Sequence, residues 1–160
     1  MNYLQSAGVA ESRYESFVRT AGAYYAFRQI AAVAGQFGTI QLQNLGSPFP
    51  KYAHIIQVEA YSAAACIINA HAFAAPFAIS PTPGRQNSRN QQLSSCQTDI
   101  TTVGAISGSP WVKWHIPAGV TTPLISTPAF YGNAGSMVQF QCETANNAVD
   151  FTIWWIELPM

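Results

Sequence analysis

Three histidines, three cysteines, seven acidic side chains and four tryptophans are the groups in this chain that could do chemistry. A metal-dependent β-barrel enzyme needs histidines that converge from neighbouring strand positions beside a carboxylate. His54, His71 and His115 are far apart and none belongs to a His-X-His pair. Each is expected as a neutral, hydrogen-bonded group on a strand face, and no metal is implied. Nucleophilic catalysis needs a Ser or Cys within reach of a His that a third group orients. There is no nucleophile elbow, and Cys96 ahead of Asp99 is only a thiol near an acid. Paired carboxylates for glycoside hydrolysis would come from Glu59, Asp99, Glu143, Asp150 and Glu157. Glu143 and Asp150 could meet across the final hairpin, in which Ala-Asn-Asn-Ala would join the last two strands, but are more simply read as solvated turn carboxylates. No Gly-rich phosphate loop is present. The chain is therefore read as a non-enzyme with no catalytic residues and no cofactor.

The aromatic residues are the remaining candidates. Trp111, Trp114, Trp154 and Trp155, with nine Phe and seven Tyr, could be core and interface anchors or a sugar-stacking platform. In "WVKWHIP", Trp111, Lys113 and His115 share one face and Val112, Trp114 and Ile116 the other, so one tryptophan is expected in the core and one toward a partner. Val149, Phe151, Ile153 and Trp155 share a face of the last strand, opposed by Asp150, Thr152, Trp154 and Ile156. A second face with Trp154 and Ile156 on it implies cover by another part of the chain or by another chain. Trp111, Trp154 and Ile156 are thus the candidate self-association residues.

These groups must be positioned by strands. From Tyr24 onward, short alternating runs are divided by Gly, Pro and Asn. Ile40 and Leu42 alternate with Gln41 and Gln43; Ile56, Val58 and Ala60 lie opposite Gln57 and Glu59; Val138, Phe140 and Cys142 lie opposite Gln139, Gln141 and Glu143. "PFAISPTPGRQNSRNQQLSS" is too polar and Pro-rich for a core strand and is read as a long surface loop. Eight or nine strands without a sustained helical period predict an all-β antiparallel sandwich over residues 24–160. Residues 1–23 stand apart as an N-terminal arm. There Ser12 and Glu15 have capping-box spacing, and Tyr14, Phe17, Val18 and Ala21 follow at helical intervals.

Composition narrows the class. A chain of 160 residues suits one domain. Only 9% of residues are charged, against about 25% in an ordinary soluble domain, while 49% are hydrophobic and the mean hydropathy is +0.09. Such a surface favours a protein that assembles. Seven basic residues balance seven acidic ones, leaving no electrostatic footprint for nucleic acid. The start lacks a signal peptide's charged and apolar regions. The apolar stretch from Ile55 to Ile79 is broken by Glu59, Asn69, His71 and Pro76, so no membrane-spanning helix is expected. Cys66, Cys96 and Cys142 form no CxxC spacing, and a reducing site of synthesis, the host cytoplasm on the reading below, fits free thiols.

"AVAGQFGTIQLQNLGSPFP", "HIIQVEAYSAAA" and the closing "WHIPAGVTTPLISTPAFYGNAGSMVQFQCETANNAVDFTIWWIELP" resemble the jelly-roll structural proteins of tailed bacteriophage virions. In that family a strand of the form "xVQLxNPxGSG" opens the sandwich, and a "GxGxxVxxxT" strand, an "AN"-type turn and a Phe- and Trp-rich strand close it. Leu45 stands where the family usually has Pro. The resemblance covers roughly Ala31 to Glu157 and implies a jelly roll on the particle exterior: a capsid decoration, cement or head-fibre protein, often trimeric. Its partners would be further copies of itself and the major capsid protein or other virion proteins. The arm, through Arg13, Tyr14, Phe17 and Arg19, is the candidate capsid anchor. The alternative is a tail-fibre or baseplate module that adapts other tail proteins or binds a host glycan, with an exposed Trp or Tyr beside a polar cleft near Arg85.

Overall fold

The computed structural model describes residues 23–46, 51–72, 82–83, 85–86, 94–106, 109–125 and 129–159. The expected anchor residues Arg13, Tyr14, Phe17 and Arg19 lie outside them. The described residues form strands β1(Tyr24–Ile30), β2(Phe37–Asn44), β3(Lys51–Tyr61), β4(Cys66–Ala72), β5(Thr82–Pro83), β6(Arg85–Gln86), β7(Cys96–Val103), β8(Val112–Ile116), β9(Thr122–Ile125), β10(Ala129–Gly132), β11(Met137–Cys142) and β12(Val149–Pro159). They make two antiparallel sheets. Sheet A runs β10-β3-β12-β1-β6 with β9 also on β3, and sheet B runs β5-β7-β2-β11-β4-β8.

Consecutive strands repeatedly change sheet, which corrects one sequence expectation. The runs ending in Cys142 and starting at Val149 are not a hairpin: β11 lies between β2 and β4, whereas β12 lies between β1 and β3. The Ala-Asn-Asn-Ala segment is a corner between sheets. Asn146 has φ 60, a left-handed value that Asn tolerates better than most residues. Its side-chain Oδ1 accepts from Gly35 N at 2.7 Å and its N–H donates to Gln36 O at 3.2 Å. Asn147 is buried, accepting from Ser62 Oγ at 3.1 Å. A turn signature specifies a reversal, and tertiary partners decide whether it closes a hairpin or a corner.

The core lies between the sheets. Phe140 of β11 meets Phe151 of β12 with ring centroids 6.5 Å apart, and Trp114 of β8 lies 6.3 Å from Phe140. Trp155 is fully buried and stacks on Tyr24 at 5.9 Å. Each such side chain contributes roughly 1.5–3 kcal/mol of transfer free energy. Trp114 therefore takes the core side of its strand, and Trp111 is 65% exposed.

A register shift in the β3–β12 ladder corrects a second expectation. Trp154 pairs with Gln57 and Trp155 with Ile55, leaving Ile56 as an extra residue on β3. One extra residue reverses the face of everything beyond it. Ile55, and not Ile56, joins Val58 and Ala60 in the core.

Candidate functional site

No three His, Cys, Asp or Glu side chains among the described residues are grouped to hold a metal ion. His115 is exposed. Burial lowers the pKa of His54, and burial followed by the Lys113 charge lowers that of His71. Glu143 follows β11 of sheet B, whereas Asp150 lies on β12 of sheet A. Glu143 pairs with Lys113 at 3.0 Å on the surface, and the hydrogen bond from Lys113 is the main cause of its lowered pKa. The three cysteines are free and buried. The Cys66 and Cys142 thiols interact on the inner face of sheet B: that interaction, with burial, raises the pKa of Cys66, and the same interaction draws Cys142 down to about 6 against the opposing effect of burial.

Glu157 is the most heavily ligated side chain described. Period two puts it on the inner face with Trp155, and its side chain is 1% exposed. Its carboxylate accepts from Ser94 Oγ, from Ser95 N at 2.8 and 3.0 Å, and from Ser95 Oγ at 3.0 Å. Cys96 N, Trp155 Nε1 and Lys51 Nζ complete the set, each at 3.3 Å. Burial alone would raise its pKa, but the donors from Ser94, Ser95 and Trp155 outweigh it and hold the carboxyl below its ordinary value. Burial and the Glu157 charge push the neighbouring Tyr24 up to about 12. The carboxylate fastens sheet A to the start of β7 in sheet B. Ser94 and Ser95 end the run expected as a surface loop, yet both are buried. Ser-Ser followed by Cys is a pair of donors whose acceptor lies about sixty residues away, so no local signal marks it.

The middle of sheet B's outer face, on β2 and β11, is also buried, although its residues are polar. Thr39, Gln41, Gln139 and Gln141 are at most 2% exposed. Gln139 Nε2 donates to Gln41 Oε1 at 3.0 Å and Gln141 Nε2 to Thr39 Oγ1 at 2.9 Å. Gln141 also holds the segment after β7, donating to Gly104 O at 3.1 Å and accepting from Ile106 N at 2.9 Å. The alternation in "IQLQ" and "VQFQ" reads as apolar in and polar out, yet both faces are covered. Side-chain amides satisfy one another across β2 and β11, which offsets their burial. In the flanking strands Asn69 Oδ1, His71 Nε2 and Asp99 Oδ1 are buried without a hydrogen-bond partner among the described residues, so His71 is not fully hydrogen-bonded as its strand position led us to expect.

The outer face of sheet A is open and differently built. Three rows cross its strands in register: Tyr25–Trp154–Gln57, Phe27–Thr152–Glu59 and Gln29–Asp150–Tyr61. Tyr25 and Trp154 stack with centroids 5.1 Å apart and planes 30° apart. Phe27 and Tyr61 are exposed. Gln57 Nε2 donates to Glu59 Oε1 at 2.6 Å. Arg85 of β6 stands beside Tyr25 in register. Of the three expected self-association residues, Trp154 is half-buried on this face and Trp111 is far away before β8. Ile156, also expected at an interface, is fully buried within the single chain and offers no surface to a partner. Trp154 was legible as a second-face residue; Tyr25, Phe27, Gln57 and Glu59 around it required the strand register.

Comparison of the chain with family models, curated proteins and solved structures finds no match.

Proposed function

We propose that this chain is a structural protein of a tailed-phage virion, a jelly roll that self-associates and decorates or cements the capsid surface. The strand pairing supports the jelly-roll reading. With β9 and β10 taken as one bent strand along β3, and β5–β7 as an insertion, eight strands remain and their pairs nest: β1 with β12, β2 with β11, β3 with β9 and β10, β4 with β8. A hairpin-like ribbon of nested pairs rolled into two four-stranded sheets is the jelly-roll plan. The motifs quoted above from the opening and closing strands support the virion reading.

The observation that carries self-association is Trp111. It is 65% exposed, beside Val112 at 39%, at the start of the outermost strand of sheet B. An exposed tryptophan in a chain with 9% charged residues is the kind of anchor that interfaces bury. Symmetric repetition then multiplies a modest contact over the particle. The work is mechanical: added contact area resists the opening of capsid junctions.

Light scattering on the wild type and on Trp111→Glu tests the reading. A trimer that the substitution reduces to folded monomers is the expected result. Wild-type protein added to depleted capsids should bind and raise their rupture temperature, and failure to bind would overturn the capsid role.

A further inference from the structure

We propose that the open face of sheet A is a binding site for a neutral carbohydrate, with Trp154 as the stacking surface and Gln57 and Glu59 as the hydrogen-bonding side. This goes beyond the virion reading and does not rest on it.

A pyranose ring is amphipathic: one face presents C–H bonds and the rim presents hydroxyls. A complementary protein surface needs an aromatic plane, held before the ligand arrives, with acceptors and donors at its edge. The indole face of Trp154 turned away from Tyr25 supplies the plane, since stacking on Tyr25 uses the other face. At 5.1 Å and 30° each ring restrains the other, so little freedom is lost on binding. Neither the Trp154 indole N–H nor the Tyr25 hydroxyl makes a hydrogen bond to another described residue, which leaves both for a ligand. The edge is supplied by Gln57, directly opposite Trp154, and by Glu59 in the next row. Directly opposed side chains stand about 4.5–5.5 Å apart, the reach of a hydroxyl from a stacked ring. The Gln57 to Glu59 hydrogen bond at 2.6 Å fixes both side chains, leaving the Gln57 carbonyl and the second Glu59 oxygen as acceptors. With Phe27 extending the apolar side, the face spans roughly 10 by 14 Å at ordinary strand spacing, enough for a short oligosaccharide.

Charge selects the ligand class. Glu59 and Asp150 are the acidic groups among the three rows; the basic residue in register with them, Arg85, lies on the β6 side of Tyr25, three strands from Gln57, so a sialylated or sulfated glycan meets like charge at the Gln57–Glu59 edge. The same two carboxylates oppose a second copy of the chain, because an interface on this face would take both out of water. Hydroxyls, which donate to carboxylates, suit the face better than either.

The test is an array of neutral and acidic glycans probed with the full chain, followed by a solution titration of the best neutral oligosaccharide by tryptophan fluorescence. Neutral glycans should be retained. Trp154→Ala should weaken the titrated affinity at least tenfold, about 1.4 kcal/mol, while Trp111→Ala leaves it unchanged. Trp154→Phe, which keeps an aromatic plane, should recover part of it, and Glu59→Gln should weaken it with the fold intact. Absence of binding by the folded wild type at millimolar sugar would overturn the proposal. So would retention of acidic glycans alone, equal losses from Trp111→Ala and Trp154→Ala, or a Trp154→Ala chain that loses only its oligomeric mass.

Discussion

Replacing Glu157 gives the sharpest stability prediction, because its substitutes differ in what they leave unpaired. Glu157→Ala strands Ser95 N and Trp155 Nε1, two buried donors that cannot turn away, and leaves Cys96 N with Ser94 Oγ alone. It also leaves Lys51 Nζ, a side chain 18% exposed, without its carboxylate. Unsatisfied buried groups cost about 1–3 kcal/mol each, and breaking one side of a buried charge pair costs about 3–5 kcal/mol. Because water enters part of the cavity and Lys51 can swing outward, the terms do not add fully, and a net loss of about 4 kcal/mol is expected. Glu157→Gln keeps one oxygen facing the cluster and puts an amide toward Ser95 Oγ, which can rotate to accept. Its cost should be about 1–2 kcal/mol. Urea unfolding reads both as shifts in midpoint at constant slope. The folded carboxyl has a pKa below 4.5, so its contribution is complete above that value and is lost as pH falls through the folded-state pKa. The gap between wild type and Glu157→Gln should therefore narrow in acid. A Glu157→Ala cost under about 1 kcal/mol, or a Gln variant as costly as the Ala variant, would refute the reasoning.

Asp99 should behave oppositely: burial raises its pKa despite Arg28 and Gln41, so Asp99→Asn should raise the urea midpoint at neutral pH, with the gain disappearing below pH 3.8, where folded and unfolded chains both carry the proton. Gln141→Ala should speed hydrogen exchange at Ile106 N, whose acceptor is the Gln141 side chain at 2.9 Å, while the β2 amides stay protected. Gly132 has φ 135, and a Cβ there would collide with Ser136 Oγ; Gly132→Ala should lower stability by about 1–3 kcal/mol, and pairing it with Ser136→Gly should recover only the steric part. Native protein should resist a thiol reagent, and urea should release three reactive thiols, matching the three buried cysteines.

The sequence by itself determined the strands and their inner faces, because period-two alternation is a local signal: Val138, Phe140, Cys142, Val149, Phe151, Ile153 and Trp155 all face the core as their spacing requires. It likewise determined that Trp114 and Trp111 part company, since an odd and an even position along one extended run point to opposite faces. Tertiary structure decided which strands pair, and so whether Ala-Asn-Asn-Ala closes a hairpin or joins two sheets. A bulge at Ile56, invisible to a two-residue period, shifted the β3 core positions. Burial of Gln41, Gln139 and Gln141 depended on acceptors one or two strands away. The same holds for Glu157, whose six donors come from β3, β12 and the entry to β7. The Tyr25–Trp154 surface was half legible. One ring could be assigned to an outer face from the sequence, but its partner and polar edge exist only through register, because cross-strand neighbours are set by pairing and not by distance along the chain.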